Sequence, residues 1–391
     1  MAQSLDSTAM RQHNRTNVFR YIRDCAPTSR IEISAALELN KATVSSLVDE
    51  LLSEQYIREI GFGESRGGRK PVILELNPQA AYSIGIDIQI THASAVLSNL
   101  KGQVVVHRNT SLNLLEAANV QQTLLDYIEN TVQEMNEFVK ESPHGIVGIG
   151  IALPGMVNHH TGFVHYLPNL EVERWDFAKE LESRTHIPAL VDNDANCGAL
   201  AQYRASSVKD LVFINAGIGI GVGIVAHGQI YRGGKGIAGE FGHSTISAMG
   251  LQCHCGNYGC WELYASERAL ARYLKELGVN PKNLELDKDF VQRAVKQADA
   301  GDSAYLQAFK QLAMYLGIGI VNVINGLNPG RVFLGGNLAI AGDYLMQDVK
   351  QSIAFRTVAV NRSTEVSLSS PDSIVLGAAN LVMSKLVFAE P

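Results

Sequence analysis

Tyr82-Ser83-Ile84-Gly85-Ile86-Asp87-Ile88-Gln89-Ile90, with Ala93–Ser98 and Val104–Asn109 behind it, decides how this 391-residue chain folds. The three runs are short and rich in β-branched residues. Asn99–Gly102 supplies a turn between the second and third, so the spacing predicts a three-stranded meander. A polar helical stretch over Asn119–Lys140 follows, then a buried strand over Ile146–Ala152. The same succession restarts near Leu211. A meander followed by alternating helix and strand, occurring twice, predicts two related α/β lobes around a cleft. We expect the first lobe over 78–200 and the second over 201–391, with a hinge near Ala199–Leu211 and the late helices.

Upstream, the pattern changes period. Asn14–Cys25 can form a helix burying Val18, Phe19 and Ile22. Ser29-Arg30-Ile31-Glu32 has capping-box spacing and opens a second helix. After a turn through Leu39-Asn40, Val44, Leu47, Val48 and Leu51 recur at the spacing of an amphipathic helix. Its start displays Lys41, Thr43, Ser45 and Ser46, small polar groups suited to base edges and phosphates. Ile57–Ile60 and Val72–Leu76 read as strands around the glycine- and arginine-rich loop Gly61–Pro71. Residues 1–77 are thus expected to be a winged helix-turn-helix. The helix would enter the major groove, and Arg66, Arg69 and Lys70 would lie along the minor groove.

Charge sharpens this reading. The net charge is −6, yet residues 1–80 carry ten basic and ten acidic side chains, leaving 23 against 29 for the remainder. Within residues 11–30, Arg11, Arg15, Arg20, Arg23 and Arg30 face only Asp24, which suggests a local basic face on a neutral unit. No run of eighteen apolar residues and no export signal is present, so a cytoplasmic protein is expected. Five cysteines, three of them at 253, 255 and 260, fit a metal cluster better than a disulfide framework. His243 and His254 are both candidate fourth ligands.

Four motifs stand in a fixed order: Leu153-Pro154-Gly155-Met156-Val157, Asp192-Asn193-Asp194-Ala195-Asn196, Gly239-Glu240-Phe241-Gly242-His243, and Cys253-His254-Cys255-Gly256-Asn257-Tyr258-Gly259-Cys260-Trp261-Glu262. Together they resemble the ROK family of bacterial repressors, open-reading-frame proteins and sugar kinases. The resemblance covers essentially the whole chain, including the winged helix of the repressor branch. It implies an actin-like (ASKHA) sugar-kinase fold behind the head. It further implies a sugar site formed by Asn193, Asp194, Glu240, His243 and Glu262, with Gly155 lining it through its backbone. By the same resemblance His243, Cys253, Cys255 and Cys260 would bind a structural zinc ion, and His243 would touch the metal with one ring nitrogen and the sugar with the other.

The kinases of that family carry Asp-x-Gly-Gly-Thr on the first hairpin to hold ATP phosphates. This chain has Asp87-Ile88-Gln89-Ile90-Thr91, whose side chains would fill the space that phosphates need. The second phosphate loop departs too, with Ala216 where the kinases usually have Thr and Ile220 where they favour Gly. The resulting expectation is a sugar-responsive repressor and not an enzyme. Its partners would be operator DNA and xylose or a related aldose, and its assembly a homodimer, with a tetramer next. A residual sugar kinase is the competing reading, because Asp194, the proton acceptor, is retained.

Overall fold

The computed structural model describes residues 7–64 and 70–390. Its head contains α1 (Ser7–Cys25), β1 (Thr28–Ser29), α2 (Arg30–Ala36), α3 (Lys41–Ser53), β2 (Ile57–Phe62) and β3 (Val72–Leu76), with the strands in the order β1-β3-β2. Ser29 caps α2 by accepting from the Glu32 amide, while the Glu32 carboxylate accepts from the Ser29 amide at 2.8 Å. Asn40 caps α3 through the Thr43 amide at 2.7 Å. Val44, Leu47, Val48 and Leu51 are fully buried against Val18, Phe19 and Ile22 of α1 and Leu74 of β3. Each such side chain contributes about 1.5–3 kcal/mol of burial free energy. That packing holds α3 in place, with Lys41 and Ser46 exposed and Thr43 and Ser45 half-buried.

Two expectations for the head change. Helix α1 begins at Ser7, a full turn and more before Asn14. The arginines of residues 11–30 are not an open basic face. Arg11 pairs with Glu50 at 2.8 Å, Arg15 with Glu50 and Glu54, Arg30 with Asp49 and Glu59, and Arg23 with Glu390. Counting charge along a short window misses acids that folding brings in from distant positions. Arg66 and Arg69 lie outside the described residues; Lys70 is exposed.

The body repeats one sheet plan twice. In the first sheet β4 (Tyr82–Ile88), β5 (His92–Asn99) and β6 (Val104–Ser111) form the meander, and β7 (Ile146–Leu153) and β11 (Ala189–Asn193) add in parallel. The second has β12 (Leu211–Ala216), β13 (Ile220–Ala226) and β14 (Gln229–Ile230) as meander, then β15 (Arg331–Gly335) and β16 (Glu365–Leu368) in parallel. Helices α4 (Val120–Asn136) and α5 (Phe177–Thr185) cover the first sheet. The longest, α10 (Ser303–Leu327), packs with α8 (Glu267–Glu276), α9 (Phe290–Asp299) and α11 (Gly342–Arg356) on the second. A small antiparallel sheet, β8 (Met156–Asn158), β9 (Phe163–Leu167) and β10 (Val172–Trp175), was not legible as strands in the sequence. Among the described residues no helix is long and apolar enough to cross a membrane.

Helices α6 (Asp194–Ser206) and α12 (Ser373–Val382) lie between the two sheets. They pack so closely that glycine is required. A Cβ on Gly150 of β7 would stand 1.9 Å from the Ala378 carbonyl of α12, and one on Gly377 would stand 1.8 Å from the Cys197 carbonyl of α6. A boundary at 200/201 therefore cuts through α6, a continuous helix that leaves the first sheet and packs on β12 and β13 of the second. The head also has no sealed core of its own. Its buried cluster continues into Ala80, Ala81, Leu100, Met383 and Phe388 of the body, and His144 stacks on Tyr56 at 4.1 Å.

Candidate sugar cleft and metal cluster

The cleft opens where β11 passes into α6, facing the hairpin β4–β5 and the glycine-rich turn between β12 and β13. Asn193 is the N-cap of α6. Its Oδ1 accepts from the Ala195 and Asn196 amides at 2.9 and 3.4 Å, and its Nδ2 donates to the Gly155 carbonyl at 3.2 Å. Asn193 thus caps α6 and lines the cleft at once. Asp194 is buried. Its Oδ1 accepts from the Ala195 amide and its Oδ2 from Asn215 Nδ2, each at 2.8 Å. Burial, opposed only in part by these donors and by the Gln89 amide, pushes the Asp194 carboxyl up to about 6. Above that pH it is a fixed carboxylate with acceptor capacity left over for a hydroxyl.

Gln89 stands where the turn of the β4–β5 hairpin meets the cleft. Its Nε2 donates to Asp87 Oδ1 at 2.7 Å, and the same amide reaches Asp194. Asp87 keeps a little surface exposure, yet desolvation pushes its carboxyl up to about 7, with the neighbouring Asp194 adding to it. One side-chain amide thus bonds to Asp87 and sits beside Asp194, two acids from different elements. Ile90, Ile218 and Ile220 line the same corner.

On the opposite wall, Glu240 and His243 sit on a 3-10 turn, Glu240–His243. The two ring nitrogens of His243 face different ways. Nε2 lies 3.8 Å from Glu240 Oε2, whereas Nδ1 lies 3.7 Å from Cys253 Sγ and 3.5 Å from Glu262 Oε1. Partial desolvation by the cleft walls raises the Glu240 carboxyl above its ordinary range, although the side chain remains open to solvent on one side. Cys253, Cys255, Cys260 and His243 bring one ligand atom each within 4.8 Å of one another. Cys255 and Cys260 sulfurs are 3.7 Å apart. A tetrahedral ion with metal–sulfur bonds of ~2.3 Å separates its sulfurs by about 3.8 Å, so the cluster fits a closed four-ligand metal site. His254 with His243 and Glu262 forms a second, overlapping candidate set. The thiols make the first the better match to a soft, borderline cation such as zinc. The loop that carries them is held by Trp261, fully buried, whose Nε1 donates to the Tyr315 carbonyl of α10 at 3.0 Å.

Several residues escaped the sequence reading. Asp192 takes a bidentate pair from Arg232, at 3.0 and 2.5 Å, and a bond from Asn196 at 3.1 Å. This pair fastens the glycine-rich 233–239 flap of the second lobe to β11 of the first. Arg268 of α8 donates to Asn169 across the cleft at 2.9 Å. Glu267 is buried beside Gly217, its amide donating to the Gly217 carbonyl at 2.8 Å. Burial pushes its carboxyl up to about 7. Asp192 adjoins the Asn-Asp pair and was visible as a neighbour. Arg232, Asn169 and Arg268 are distant in sequence, and nothing local marks them.

A family model described as ROK family matches residues 83–385. The chain belongs to the ROK family. This ROK protein is 34% identical to the xylose repressor of Caldicellulosiruptor bescii, over 97% of this chain and 98% of that one. It is 33% identical to the xylose repressor of Bacillus subtilis, over 98% and 96%. Among solved structures, a ROK family transcriptional regulator described as a homologue of the E. coli MLC protein superposes with a TM-score of 0.79 at 27% identity, covering 96% of each chain. A ROK family glucokinase from Streptomyces griseus, in complex with glucose and AMPPNP, superposes with a TM-score of 0.66 at 26% identity, covering 77% of this chain and 98% of that one. The match to a regulator thus extends over nearly all of the ROK chain, and the match to a kinase over a smaller share.

Proposed function

We propose that this chain is a sugar-responsive transcriptional repressor whose foremost inducer is xylose. The observation that carries the reading is Gln89. Its amide occupies the corner between Asp87 and Asp194, where phosphate would need bare backbone and incoming positive charge. A triphosphate brought there would meet the Gln89 side chain and three isoleucines, while a neutral sugar needs only hydrogen-bonding partners. Asn193, Asp194, Glu240, His243 and Glu262 supply those partners, and the Gly155 backbone closes one side. Full-length similarity to xylose repressors supports the same choice of ligand.

Zinc held by His243, Cys253, Cys255 and Cys260 would have no open position and would act structurally. It would fix the tautomer of His243 and turn Nε2 toward the sugar. On the DNA side, Lys41, Thr43, Ser45 and Ser46 of α3 would enter the major groove. Arg66, Arg69 and Lys70 of the wing would follow the minor groove. A dimer would place two such heads on half-sites ~34 Å apart. Sugar acts on DNA affinity only through a preference for one arrangement of lobes and head over another.

A gel-shift on the region upstream of the chain's own gene, with and without xylose, glucose and N-acetylglucosamine, tests the proposal. A shift altered by xylose is the expected result. Sustained ATP turnover with xylose or glucose, abolished in Asp194→Asn, would replace it with the kinase reading.

A further inference from the structure

The sugar-bearing helix ends at the head. Asn193 and Asp194 form the N-terminal end of α6, and Arg204 lies in its last turn, roughly 15 Å further along at ~1.5 Å per residue. Arg204 donates to Ser384 Oγ at 2.7 Å and to one carboxylate oxygen of Glu390. The other oxygen of Glu390 accepts from Arg23 of α1 at 2.6 Å. One carboxylate therefore joins a guanidinium from the body to one from the head, and all three side chains are largely shielded from solvent.

The segment around Glu390 fits closely against α1. Arg20 donates to the carbonyls of Phe388, at 2.8 Å, and Ala389. The Phe388 ring lies 4.8 Å from that of Phe19 and 4.6 Å below the Arg23 guanidinium. The segment also continues α12, which is locked to α6 where Gly377 meets Cys197. Helix α1 in turn reaches α3 through Arg15, which pairs with Glu50 and Glu54. Two helices, α6 and α1, thus link the sugar site to the DNA-reading helix, joined to each other through Glu390 and to α3 through Arg15. Without Glu390, Arg204 would lose its carboxylate partner and Arg23 would keep only Asp24, at 2.7 Å.

We propose that Glu390 is a positioning residue, by which the helix that grips the sugar sets the angle of the DNA-reading head. The proposal rests on the sugar-responsive reading above. It differs from simple adhesion in what it makes measurable. Adhesion alone would change stability or operator affinity equally with and without sugar. A positioning role changes the ratio of the two operator affinities while sugar affinity stays put.

The test uses the full chain, with xylose binding followed by calorimetry and binding to the upstream duplex followed with and without saturating xylose. Coupling of this kind is typically about 5–150-fold in the wild-type protein. Glu390→Gln should keep xylose affinity within about twofold and reduce the ratio below about 3-fold. Arg204→Ala, which leaves the Arg23–Glu390 pair in place, should do the same, and the double variant should add little further. A wild-type ratio in either folded single variant overturns the proposal. Should Glu390→Gln fail to fold, Arg204→Ala decides alone. A wild-type protein whose operator binding ignores xylose, glucose and N-acetylglucosamine overturns the function itself, a result distinct from loss of coupling in the variants.

Discussion

Xylose affinity should fall as pH falls through 6. The group responsible is Asp194, whose carboxyl burial holds at about 6, well above an ordinary aspartate. Its two oxygens already accept from the Ala195 amide and Asn215 Nδ2, so an incoming hydroxyl must donate to what acceptor capacity remains, and only the ionised form offers that fully. With a folded value near 6, about 97% of the carboxyl is ionised at pH 7.5 and about 9% at pH 5.0. The expected loss across that interval is roughly tenfold in affinity, about 1.4 kcal/mol. Asp194→Asn should remove the step. It should also weaken binding about 10–150-fold at pH 7.5, from the loss of a charged acceptor worth about 1.5–3 kcal/mol. The asparagine has a second handicap, since its NH2 would face a donor at one of the two bonded positions. Calorimetric titration of xylose at constant ionic strength from pH 5 to 8 measures both effects. A flat profile in the wild type, or an unchanged step in Asp194→Asn, refutes the reasoning.

The same shifts make a stability prediction. Asp87 and Asp194 are raised above their unfolded values, so the stability they contribute is present below about pH 4 and is lost as pH rises through 6 to 7. Asp87→Asn should flatten that part of the sugar-free Tm-versus-pH curve; a decline as steep as in the wild type would count against the assignment. Cys255→Ser should lower both Tm and xylose affinity, the latter about 10–100-fold, through disordering of His243. Normal xylose affinity in a variant proven metal-free would separate the two sites. Gly150→Ala should destabilise by more than about 3 kcal/mol, because its Cβ meets backbone of α12, whereas Gly234→Ala, with nothing within 4 Å, should change little. Equal unfolding midpoints in urea for the two variants would show that the helix can shift aside.

The architecture was largely readable because it is written in local pattern. The three strands of the first meander, the Ser29 capping box and the α3 stripe each depend on residues within a few positions of one another. The motif residues of the cleft were readable for a different reason: their order and spacing, taken with the family resemblance, marked them. What was hidden is long-range pairing. The arginines of α1 look unpaired in a window of twenty residues and find acids from Glu50, Glu54 and Glu390 only once the chain folds. Arg232 reaches Asp192 across forty positions, and Arg268 reaches Asn169 across ninety-nine. The β8–β10 sheet was hidden for want of clean alternation; its strands have only three to five residues.

Because Phe19, Leu47 and Leu74 share one apolar interior with Leu100, Met383 and Phe388, the reader is no bead on a string. Cutting it out near residue 77 would leave a greasy scar on both halves, so a soluble chimera built by swapping heads must carry the matching strip of body surface with it. Effector specificity and operator specificity would then be inherited together more often than a modular picture suggests.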